Sequence, residues 1–273
     1  MSIKLIASDL DGTLLTNTKE LSVKNRKVLS EAVKKGVYIV PATGRSYQAV
    51  PDIIKEFPGV EYIITANGGA VYSVGENRRI YECLLKDSLV EACLRVKKAE
   101  DVIMEVFIEG IPYSEEIYIK DPASYGATEY GVKYIKATRK PIKDIVSFAL
   151  KNRNKLDSIA FVCKKKETQE RLYRELETEI PEVYVTSSVP NLIEIGHINA
   201  GKGKTLLWLL DRLKISREEV AAFGDADNDC SMIEAVKYGI AMGNATENCK
   251  KCAVSVTETN ENDGVAIALE KLL

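Results

Sequence analysis

Pairs of carboxylates follow apolar segments in this sequence. The stretch LIASDLDGTLL places Asp9 and Asp11 directly after a run that reads as a β-strand. Side chains alternate along a strand, so residues two apart can point the same way. Two adjacent carboxylates at the rim of a core are costly unless a cation or strong donors face them. Asp9 and Asp11 are therefore candidates for a cation site, although a polar turn at Gly12 explains the same pattern.

A second acidic cluster follows the apolar segment VAAF. The stretch GDADND contains Asp225, Asp227, Asn228 and Asp229. Its D-x-D-x-D spacing resembles an EF-hand loop, but the sixth position is not glycine and the twelfth is not glutamate. Taken together with Asp9 and Asp11, the cluster favours a strand-end magnesium site over a solvated acidic turn.

A hydroxyl group and a flexible backbone follow a third strand-like segment. In YIVPATGRS these are Thr43 and Gly44, which suit a phosphate oxygen. Alone, the TGR triplet usually indicates only a turn. Beside the two acidic strand ends, it becomes a candidate phosphate-binding element.

The stretch GHINAGKGKTLL resembles a nucleotide-binding P-loop. Gly196, Gly201 and Lys202 match that pattern, but Gly203 stands where the magnesium-binding hydroxyl belongs. If the pattern is shifted so that Lys204 is the P-loop lysine, the first glycine of the pattern is lost. Each of the two alignments therefore mismatches the P-loop pattern at one residue. Lysines at a helix start oppose the helix dipole by about 0.3–1 kcal/mol, and a nearby anion would offset this. We interpret Lys204 as solvated and Lys202 as a candidate phosphate ligand.

The elements that must position these residues alternate between strand and helix in the outer thirds of the chain. The strand-like segments are IKLIASD, VYIVPA, YIITA, NLIEI, VAAFGD and IAM, and AVYSVGENRRIYE reads as a hairpin. The helical segments include SVKNRKVLSEAVKKG, with Ser22 as N-cap, and KTLLWLLDRL. This pattern predicts an α/β fold with a doubly wound, mainly parallel, Rossmann-like sheet, whose ligands lie beyond the carboxyl ends of the strands.

The middle third has a different pattern. SLVEACLRVKKAE and KETQERLYRELETEI read as helices, VIMEVFIEG and LDSIAFVC as strands, and TEYGVKYI as irregular. We expect residues 1–84 and 188–273 to form the core and residues 85–187 to form an inserted α+β domain. The tyrosines of this region could stack on a sugar or cofactor ring, although most are expected to be packing or surface residues.

Composition narrows the class of protein. The net charge of -2, from 38 basic and 40 acidic residues, points to neither nucleic acid nor an anionic membrane as a partner. No apolar run approaches the length of a membrane span or a signal peptide, so a cytoplasmic location is expected. The single histidine, His197, leaves carboxylates and lysines to carry most of the chemistry. The pair CKKC at Cys249 and Cys252 has no second pair to complete a zinc set, which favours ordinary helix cysteines.

The motifs DLDGTLL, TGR, KGKTL and GDADND, in this order, resemble the haloacid dehalogenase superfamily of phosphotransferases. The likeness is greatest to its Cof-type (subfamily IIB) sugar-phosphate phosphatases, to which NGGAVY and NDGVAIAL are also similar. The motifs cover both outer thirds of the chain. The middle third matches the inserted cap of that branch in position and size, without a sequence signature of its own.

The resemblance implies a role for each matching residue. Asp9 is expected to be the nucleophile that forms an aspartyl-phosphate, and Asp11 the general acid and then the base. Mg²⁺ is expected on the side chain of Asp9, the backbone carbonyl of Asp11 and Asp225, with Asp229 in support. The remaining matches, Thr43, Gly44, Lys202 and Asn228, are expected to hold the phosphate.

Elementary chemistry agrees with this set of residues. Hydrolysis of phosphate monoesters needs accelerations of up to ~10²¹, which positioning and charge neutralisation must largely supply. We therefore expect a magnesium-dependent phosphatase of small phosphorylated metabolites, with sugar phosphates as the expected substrates. A phosphomutase with the same site, a P-loop ATPase and a non-catalytic sensor of phosphorylated metabolites are the alternatives. Neither a nucleic acid nor a membrane is expected as a partner, and the sequence indicates no particular oligomeric state.

Overall fold

The computed structural model describes residues 2–99, 102–180, 182–189 and 191–273. The chain forms two compact units. The first contains Met1–Gly44, Val50–Tyr81 and Gly201–Leu273, and the second contains Arg45–Ala49 and Glu82–Ala200. Both ends of the sequence therefore contribute to the first unit, and the second is an insertion.

Strands and helices are numbered along the chain. The strands are β1 (Leu5–Ser8), β2 (Tyr38–Pro41), β3 (Tyr62–Thr65), β4 (Ala70–Ser73), β5 (Arg78–Glu82), β6 (Ile103–Ile108), β7 (Ile111–Glu115), β8 (Lys140–Ile142), β9 (Leu156–Val162), β10 (Val183–Thr186), β11 (Leu192–His197), β12 (Val220–Gly224), β13 (Tyr238–Ala241) and β14 (Ser255–Val256). The α-helices are α1 (Val23–Lys34), α2 (Asp52–Lys55), α3 (Asp87–Ala99), α4 (Glu116–Lys120), α5 (Glu129–Thr138), α6 (Ile145–Lys151), α7 (Lys166–Glu179), α8 (Lys202–Leu213), α9 (Cys230–Glu234), α10 (Glu247–Cys252) and α11 (Gly264–Leu269).

The main sheet of the first unit is parallel, in the order β14-β13-β12-β1-β2. Its central strands β1 and β12 are buried along their whole length, as expected for a parallel sheet that is covered on both faces. On one face, Leu5 and Ala222 share a buried cluster with Leu206 and Leu209 of α8. The predicted parallel α/β sheet is thus confirmed.

Local signals set the ends of α1. Ser22 is its N-cap, and its side chain accepts a hydrogen bond from the backbone N–H of Asn25, as predicted. Gly36 follows the helix with a φ of 80°, a left-handed conformation that favours glycine. The chain can therefore turn directly from α1 into β2, which lies parallel to β1 in the sheet.

A smaller sheet in the order β3-β4-β5 extends the first unit. The antiparallel register of β3 and β4 places Thr65 opposite Ala70. A single parallel bridge between Ala42 and Ile64 connects this sheet to the end of β2. The predicted hairpin is present, and the tight connection from β3 to β4 lies near the end of β2.

The second unit contains a six-stranded sheet in the order β10-β11-β9-β6-β7-β8. Neighbouring strands are antiparallel except β7 and β8. Apolar residues of α3, α6 and α7 share one buried cluster with this sheet, among them Leu89, Ala149 and Leu172. The inserted region is thus an α+β module, as expected.

Two predicted elements differ in the structure. Leu192–His197, assigned by its position to the core, pairs with β9 and β10 in the six-stranded sheet. An apolar segment of this length does not reveal which neighbours it will have. The stretch TEYGVKYI, predicted to be irregular, lies in helix α5, where the side chain of Thr128 accepts from the N–H of Gly131 and acts as N-cap.

The tyrosines of the second unit mainly contact protein. Tyr118 and Tyr125 pack edge to face, with ring centres 5.5 Å apart, in a buried cluster. The ring of Tyr134 lies 4.7 Å from the guanidinium carbons of both Arg45 and Arg139. Stacking on a ligand is therefore not needed to explain these three rings.

None of the helices in the described part of the chain combines the length and apolar character that crossing a membrane requires.

Candidate active site

The candidate site lies at the carboxyl ends of three neighbouring strands in the first unit. Ser8, the last residue of β1, is level with Phe223 of β12 on one side and Pro41 of β2 on the other. Asp9 therefore emerges between the two segments that follow β2 and β12. The parallel sheet thus brings together residues that are far apart in the sequence.

Three of the predicted carboxylates form one cluster. Asp9, Asp225 and Asp229 each have a carboxylate oxygen within 4.8 Å of the others. Asp229 is fully buried and Asp9 is 6% exposed, whereas Asp225 is half-buried. Across the described ranges, no other set of three or more His, Cys, Asp or Glu residues is arranged in this way.

Lys202 is the cation within this cluster. Its ammonium group lies 2.7 Å from Oδ1 of Asp9 and 2.6 Å from Oδ1 of Asp229. The side chain is fully buried at the first position of α8. Burial alone would lower the pKa of Lys202, but the charges of Asp229 and Asp9 outweigh it and raise that pKa, so the amine remains charged.

Asp229 is held by several donors at once. One oxygen binds Lys202, and the other accepts the backbone N–H groups of Asp225 and Ala226, at 2.9 and 3.1 Å. These bonds fix the loop that follows β12. Asp229 is therefore placed to orient Lys202 and Asp225.

The three carboxylates of the cluster contact one ammonium group, that of Lys202, which does not balance their charge. Burial raises the pKa of Asp9 well above its ordinary value despite the opposing charge of Lys202, and the other carboxylates raise it further. Burial and then Asp229 raise the pKa of Asp225 to about 6. A cation bound between these two carboxylates would remove that unfavourable charge.

Thr13 orients Asp225 across the sheet. Its buried hydroxyl donates to Oδ1 of Asp225 at 2.7 Å. Gly12 makes room for this contact, since a Cβ there would lie 2.4 Å from Oδ2 of Asp225 and the φ of Gly12 is 85°. Sequence reasoning missed Thr13, although its position four residues after Asp9, in the same DLDGT motif, was the available signal.

Gly203 allows α8 to approach α9 closely. A Cβ at Gly203 would lie 2.1 Å from the carbonyl oxygen of Ser231, and the N–H of Gly203 donates to the Ser231 hydroxyl. Helix packing therefore explains the residue that interrupted the P-loop pattern. It also fixes the start of α8, and with it Lys202.

Asn228 meets the loop between β3 and β4. Its Nδ2 donates to Oδ1 of Asn67 at 3.0 Å, while its own Oδ1 is buried without a hydrogen-bond partner in the protein. Gly68 packs against the turn before α8, where a Cβ would lie 2.5 Å from Gly201, and its carbonyl accepts from Thr205. Asn67 was not predicted as a site residue, although the NGGAVY stretch contains it.

The remaining predicted residues lie at the same strand ends. Thr43 is 1% exposed, and its backbone N–H donates to Ile64; Gly44 is half-buried beside it. The side chain of Asp11 lies outside the three-carboxylate cluster, and its Oδ1 is 2.8 Å from Nζ of Lys19. Thus Asp11 is adjacent to the cluster in sequence but has a different partner.

The cluster fits a hard divalent cation. Carboxylate oxygens are the ligands that Mg²⁺ prefers in proteins, and Mg²⁺ is usually held by one or two carboxylates together with phosphate oxygens. The pKa values of Asp9 and Asp225 are raised, and a bound cation would lower them because it stabilises the charged carboxylates. A carboxylate, a lysine and a cation site within one buried cluster suit a dianionic group such as a phosphate.

Known proteins resemble this chain over nearly all of its length. A family model described as haloacid dehalogenase-like hydrolase matches residues 6–269. Phosphatase YwpJ of Bacillus subtilis (strain 168) is 29% identical, covering 99% of this chain and 100% of the relative. The 5-amino-6-(5-phospho-D-ribitylamino)uracil phosphatase YcsE of the same organism is 30% identical, covering 98% of this chain and 95% of the relative.

A solved structure has the same fold. It is that of a haloacid dehalogenase-like hydrolase from B. subtilis, with a TM-score of 0.86, 29% identity and coverage of 99% of this chain and 100% of the other. The likeness extends over both compact units. The motifs, the fold and these relatives agree, and the chain belongs to the haloacid dehalogenase-like hydrolase family, among its Cof-type phosphatases.

Proposed function

We propose that this protein is a magnesium-dependent phosphatase that hydrolyses phosphate monoesters of small metabolites through an aspartyl-phosphate on Asp9. The observation that carries the proposal is the buried cluster in which Lys202 binds Asp9 and Asp229 and a carboxylate oxygen of Asp225 lies within 4.8 Å of theirs. The family membership supports the phosphatase class.

Asp9 has the role of nucleophile. One of its carboxylate oxygens attacks phosphorus, and the bond from phosphorus to the ester oxygen breaks. The attack requires a deprotonated Asp9 beside a dianion, and burial opposes that charge. Lys202 at 2.7 Å stabilises the charged form, which makes it part of the activation of the nucleophile.

Asp11 has the role of acid and then base. It gives a proton to the departing ester oxygen, and in the second step takes a proton from the water that attacks the aspartyl-phosphate. Inorganic phosphate leaves and Asp9 is regenerated. Because Asp11 forms an ion pair with Lys19, we infer that this contact opens when Asp11 carries its proton.

Phosphate oxygens are held by Thr43, Gly44, Lys202 and Asn228. The buried Oδ1 of Asn228 has no partner in the protein, which supports a polar ligand beside it. A joint rotation of the Asn228 and Asn67 amides keeps their mutual hydrogen bond and turns the Nδ2 of Asn228 towards that ligand. The amide is then a donor for a phosphate oxygen.

Mg²⁺ is the proposed cofactor. The side chains of Asp9 and Asp225 and the backbone carbonyl of Asp11 would hold it, with Asp229 in support. Its chemistry is to neutralise charge on the phosphate so that a carboxylate can approach. Thr13 and Asp229 position Asp225 for this purpose.

Sugar phosphates are the proposed substrate class. The YcsE relative is named for a phosphate ester on a ribityl chain, which supports a small polyhydroxylated leaving group. We place substrate selectivity in the second unit, Arg45–Ala49 and Glu82–Ala200, and the chemistry in the first unit. A cytoplasmic location fits such metabolites.

A screen of phosphorylated metabolites with and without Mg²⁺ tests the proposal, with release of inorganic phosphate as the readout. We expect turnover of sugar phosphates that depends on Mg²⁺ and is abolished by Asp9→Asn. Transfer of phosphate to a second sugar hydroxyl would instead identify a phosphomutase. No turnover across the panel, with tight binding of a phosphorylated metabolite, would indicate a sensor.

A further inference from the structure

The connection between β3 and β4 has an unusual backbone. Three consecutive residues, Ala66, Asn67 and Gly68, have positive φ angles of 49°, 51° and 94°. This left-handed conformation costs free energy for every residue except glycine, and Ala66 has no polar side chain that could offset the cost. Such strain persists only where the surrounding contacts require it, and it is concentrated at functional sites. The contacts of this loop therefore need an explanation.

The loop meets all three elements that are proposed to hold the phosphate. The N–H of Asn67 donates to the carbonyl of Thr43 at 3.1 Å. The carbonyl of Gly68 accepts from the hydroxyl of Thr205 at 2.8 Å, on the helix that begins with the proposed phosphate-binding lysine. The side chain of Asn67 accepts from Nδ2 of Asn228 at 3.0 Å. One short connection thus joins the segments that follow β2 and β12 to the start of α8.

The left-handed backbone permits these contacts. A Cβ at Gly68 would lie 2.5 Å from the backbone of Gly201, so the loop and the turn before α8 meet without a side chain between them. Asn67 and Asn228 are only 6% and 3% exposed. Water therefore does not readily replace either amide in the hydrogen bond between them.

A hydrogen bond between two amides uses the donor end of one and the acceptor end of the other. When Asn67 donates, Asn228 accepts with Oδ1, and its Nδ2 is left to bind a phosphate oxygen. When Asn67 accepts, Asn228 offers Oδ1 to the ligand, and this oxygen repels a phosphate anion. The orientation of the Asn67 amide therefore decides whether Asn228 can bind a phosphate.

We propose that Asn67 is a positioning residue that orients the amide of Asn228 for phosphate binding. This inference rests on the proposed function, and Asn67 acts through Asn228 rather than on the substrate. It also gives the buried Oδ1 of Asn228, which has no partner in the protein, a role in the joint rotation of the two amides. That rotation pairs Oδ1 of Asn228 with Nδ2 of Asn67.

Titration of the full-length protein with inorganic phosphate, at saturating Mg²⁺ in a calorimeter, tests this role without turnover. Asn67→Gly removes the amide, while glycine readily keeps the left-handed backbone. We expect the affinity for phosphate to fall about tenfold or more, as for the loss of a hydrogen bond to a charged group. Asn77→Gly is the matched control, because Asn77 is also left-handed, with a φ of 45°, but is exposed at the turn before β5. It should bind phosphate like the wild type.

A double-mutant cycle shows whether Asn67 acts through Asn228. Asn228→Ala should also weaken phosphate binding. The addition of Asn67→Gly to Asn228→Ala should cause no further loss, because the amide that Asn67 orients is then absent. The same loss from Asn67→Gly in both backgrounds would overturn the proposal, and so would an unchanged affinity in Asn67→Gly alone.

Asn67→Asp separates the amide from the flexibility of the loop. Aspartate has nearly the same shape as asparagine and also adopts the left-handed conformation, but its carboxylate accepts and does not donate. It should weaken phosphate binding more in the wild-type background than in Asn228→Ala, where only its charge acts. An equal loss in both backgrounds would contradict the proposal. Urea denaturation confirms that each variant is folded.

Phosphate binding and turnover separate this inference from the proposed function. A wild type that binds phosphate and follows the cycle, but hydrolyses no phosphorylated metabolite, would contradict the proposed function and support the role of Asn67. An active phosphatase in which Asn67→Gly binds phosphate as tightly as the wild type would overturn the role of Asn67 alone.

Discussion

The ammonium group of Lys202 lies 2.7 Å from a carboxylate oxygen of Asp9, although 193 residues separate them. Lys202 also lies 2.6 Å from Asp229, and its side chain is fully buried. A buried charge is stable only when it is paired and hydrogen-bonded. This contact therefore joins two segments of the first unit, one before and one after the inserted second unit, at the centre of the candidate site.

Removal of Lys202 should affect both stability and catalysis. Lys202→Met leaves two buried carboxylates without their cation, which typically costs about 3–5 kcal/mol in the free energy of unfolding. We also expect phosphatase activity to fall to background, because the proposed phosphate ligand is lost. Urea denaturation and phosphate release measure the two effects.

Lys204 provides the matched control for this substitution. It lies on the same helix, two residues further along, but is exposed. Lys204→Met should change the free energy of unfolding by less than about 0.5 kcal/mol and leave turnover near wild type. Equal effects of the two substitutions would contradict the special role of Lys202.

Asp225 should make the metal-free protein less stable as the pH rises from 4 to 6, a contribution that Asp225→Asn removes. Burial raises the pKa of Asp225 to about 6 in the folded protein, against an ordinary value of 3.8. Within this window the folded state binds more protons than the unfolded state, so the free energy of unfolding decreases with increasing pH. The full contribution of Asp225 is up to about 3 kcal/mol, at about 1.4 kcal/mol per pKa unit.

Urea denaturation with EDTA at pH 5 and pH 7 measures this effect. The wild type should lose more stability between these values than Asp225→Asn, which has no group to titrate at this position. Saturating Mg²⁺ should add stability at pH 7 to the wild type and much less to the variant. The same pH dependence in both proteins would show that Asp225 does not titrate in this range.

The hydroxyl of Thr13 should control the affinity for Mg²⁺. Thr13→Val removes the hydrogen bond to Asp225 with little change of shape. Loss of a partner that orients a metal ligand typically weakens binding by about 10–100-fold. Isothermal titration with Mg²⁺ measures this without any substrate. Thr13→Ser keeps the hydroxyl and should bind like the wild type, so weakening of similar size in both variants would rule out the hydrogen bond as the cause.

Gly203 should be intolerant of a methyl group. The added Cβ of Gly203→Ala would meet the carbonyl oxygen of Ser231 at 2.1 Å, which requires α8 to move away from α9. We expect a loss of about 1–3 kcal/mol in the free energy of unfolding, together with slower turnover because Lys202 moves with the helix. Gly75→Ala is the control, since a Cβ there meets nothing within 4 Å. A stable and active Gly203→Ala protein would contradict the close approach of the helices.

Sequence reasoning could place the residues at strand ends because each of them follows its own strand. Asp9, Thr43 and Asp225 need only the rule that parallel strands end at one edge of a sheet. Contacts between loops are different, since no local pattern encodes them. The bonds from Thr13 to Asp225 and from Asn67 to Asn228 depend on how remote segments pack.

The same limit explains one difference between the predicted and the observed fold. The alternation of apolar residues identifies Leu192–His197 as a strand but not its neighbours in the six-stranded sheet. Gly203 breaks the P-loop pattern, and the sequence did not reveal the reason for a glycine there because the contacting residue, Ser231, lies on another helix. In both cases the missing information was tertiary.

The phosphoryl group on Asp9 is the most direct test of the proposed mechanism. With p-nitrophenyl phosphate, whose leaving group needs no acid, the Asp11→Asn variant should react once and then stall, since Asp11 is the base of the second step. We expect a burst of one p-nitrophenol per protein and, after acid quenching and mass spectrometry, a phosphoryl group on Asp9. A variant that combines Asp9→Asn with Asp11→Asn should show neither. An unmodified Asp9 in the stalled protein, together with turnover that survives Asp9→Asn, would contradict the aspartyl-phosphate mechanism.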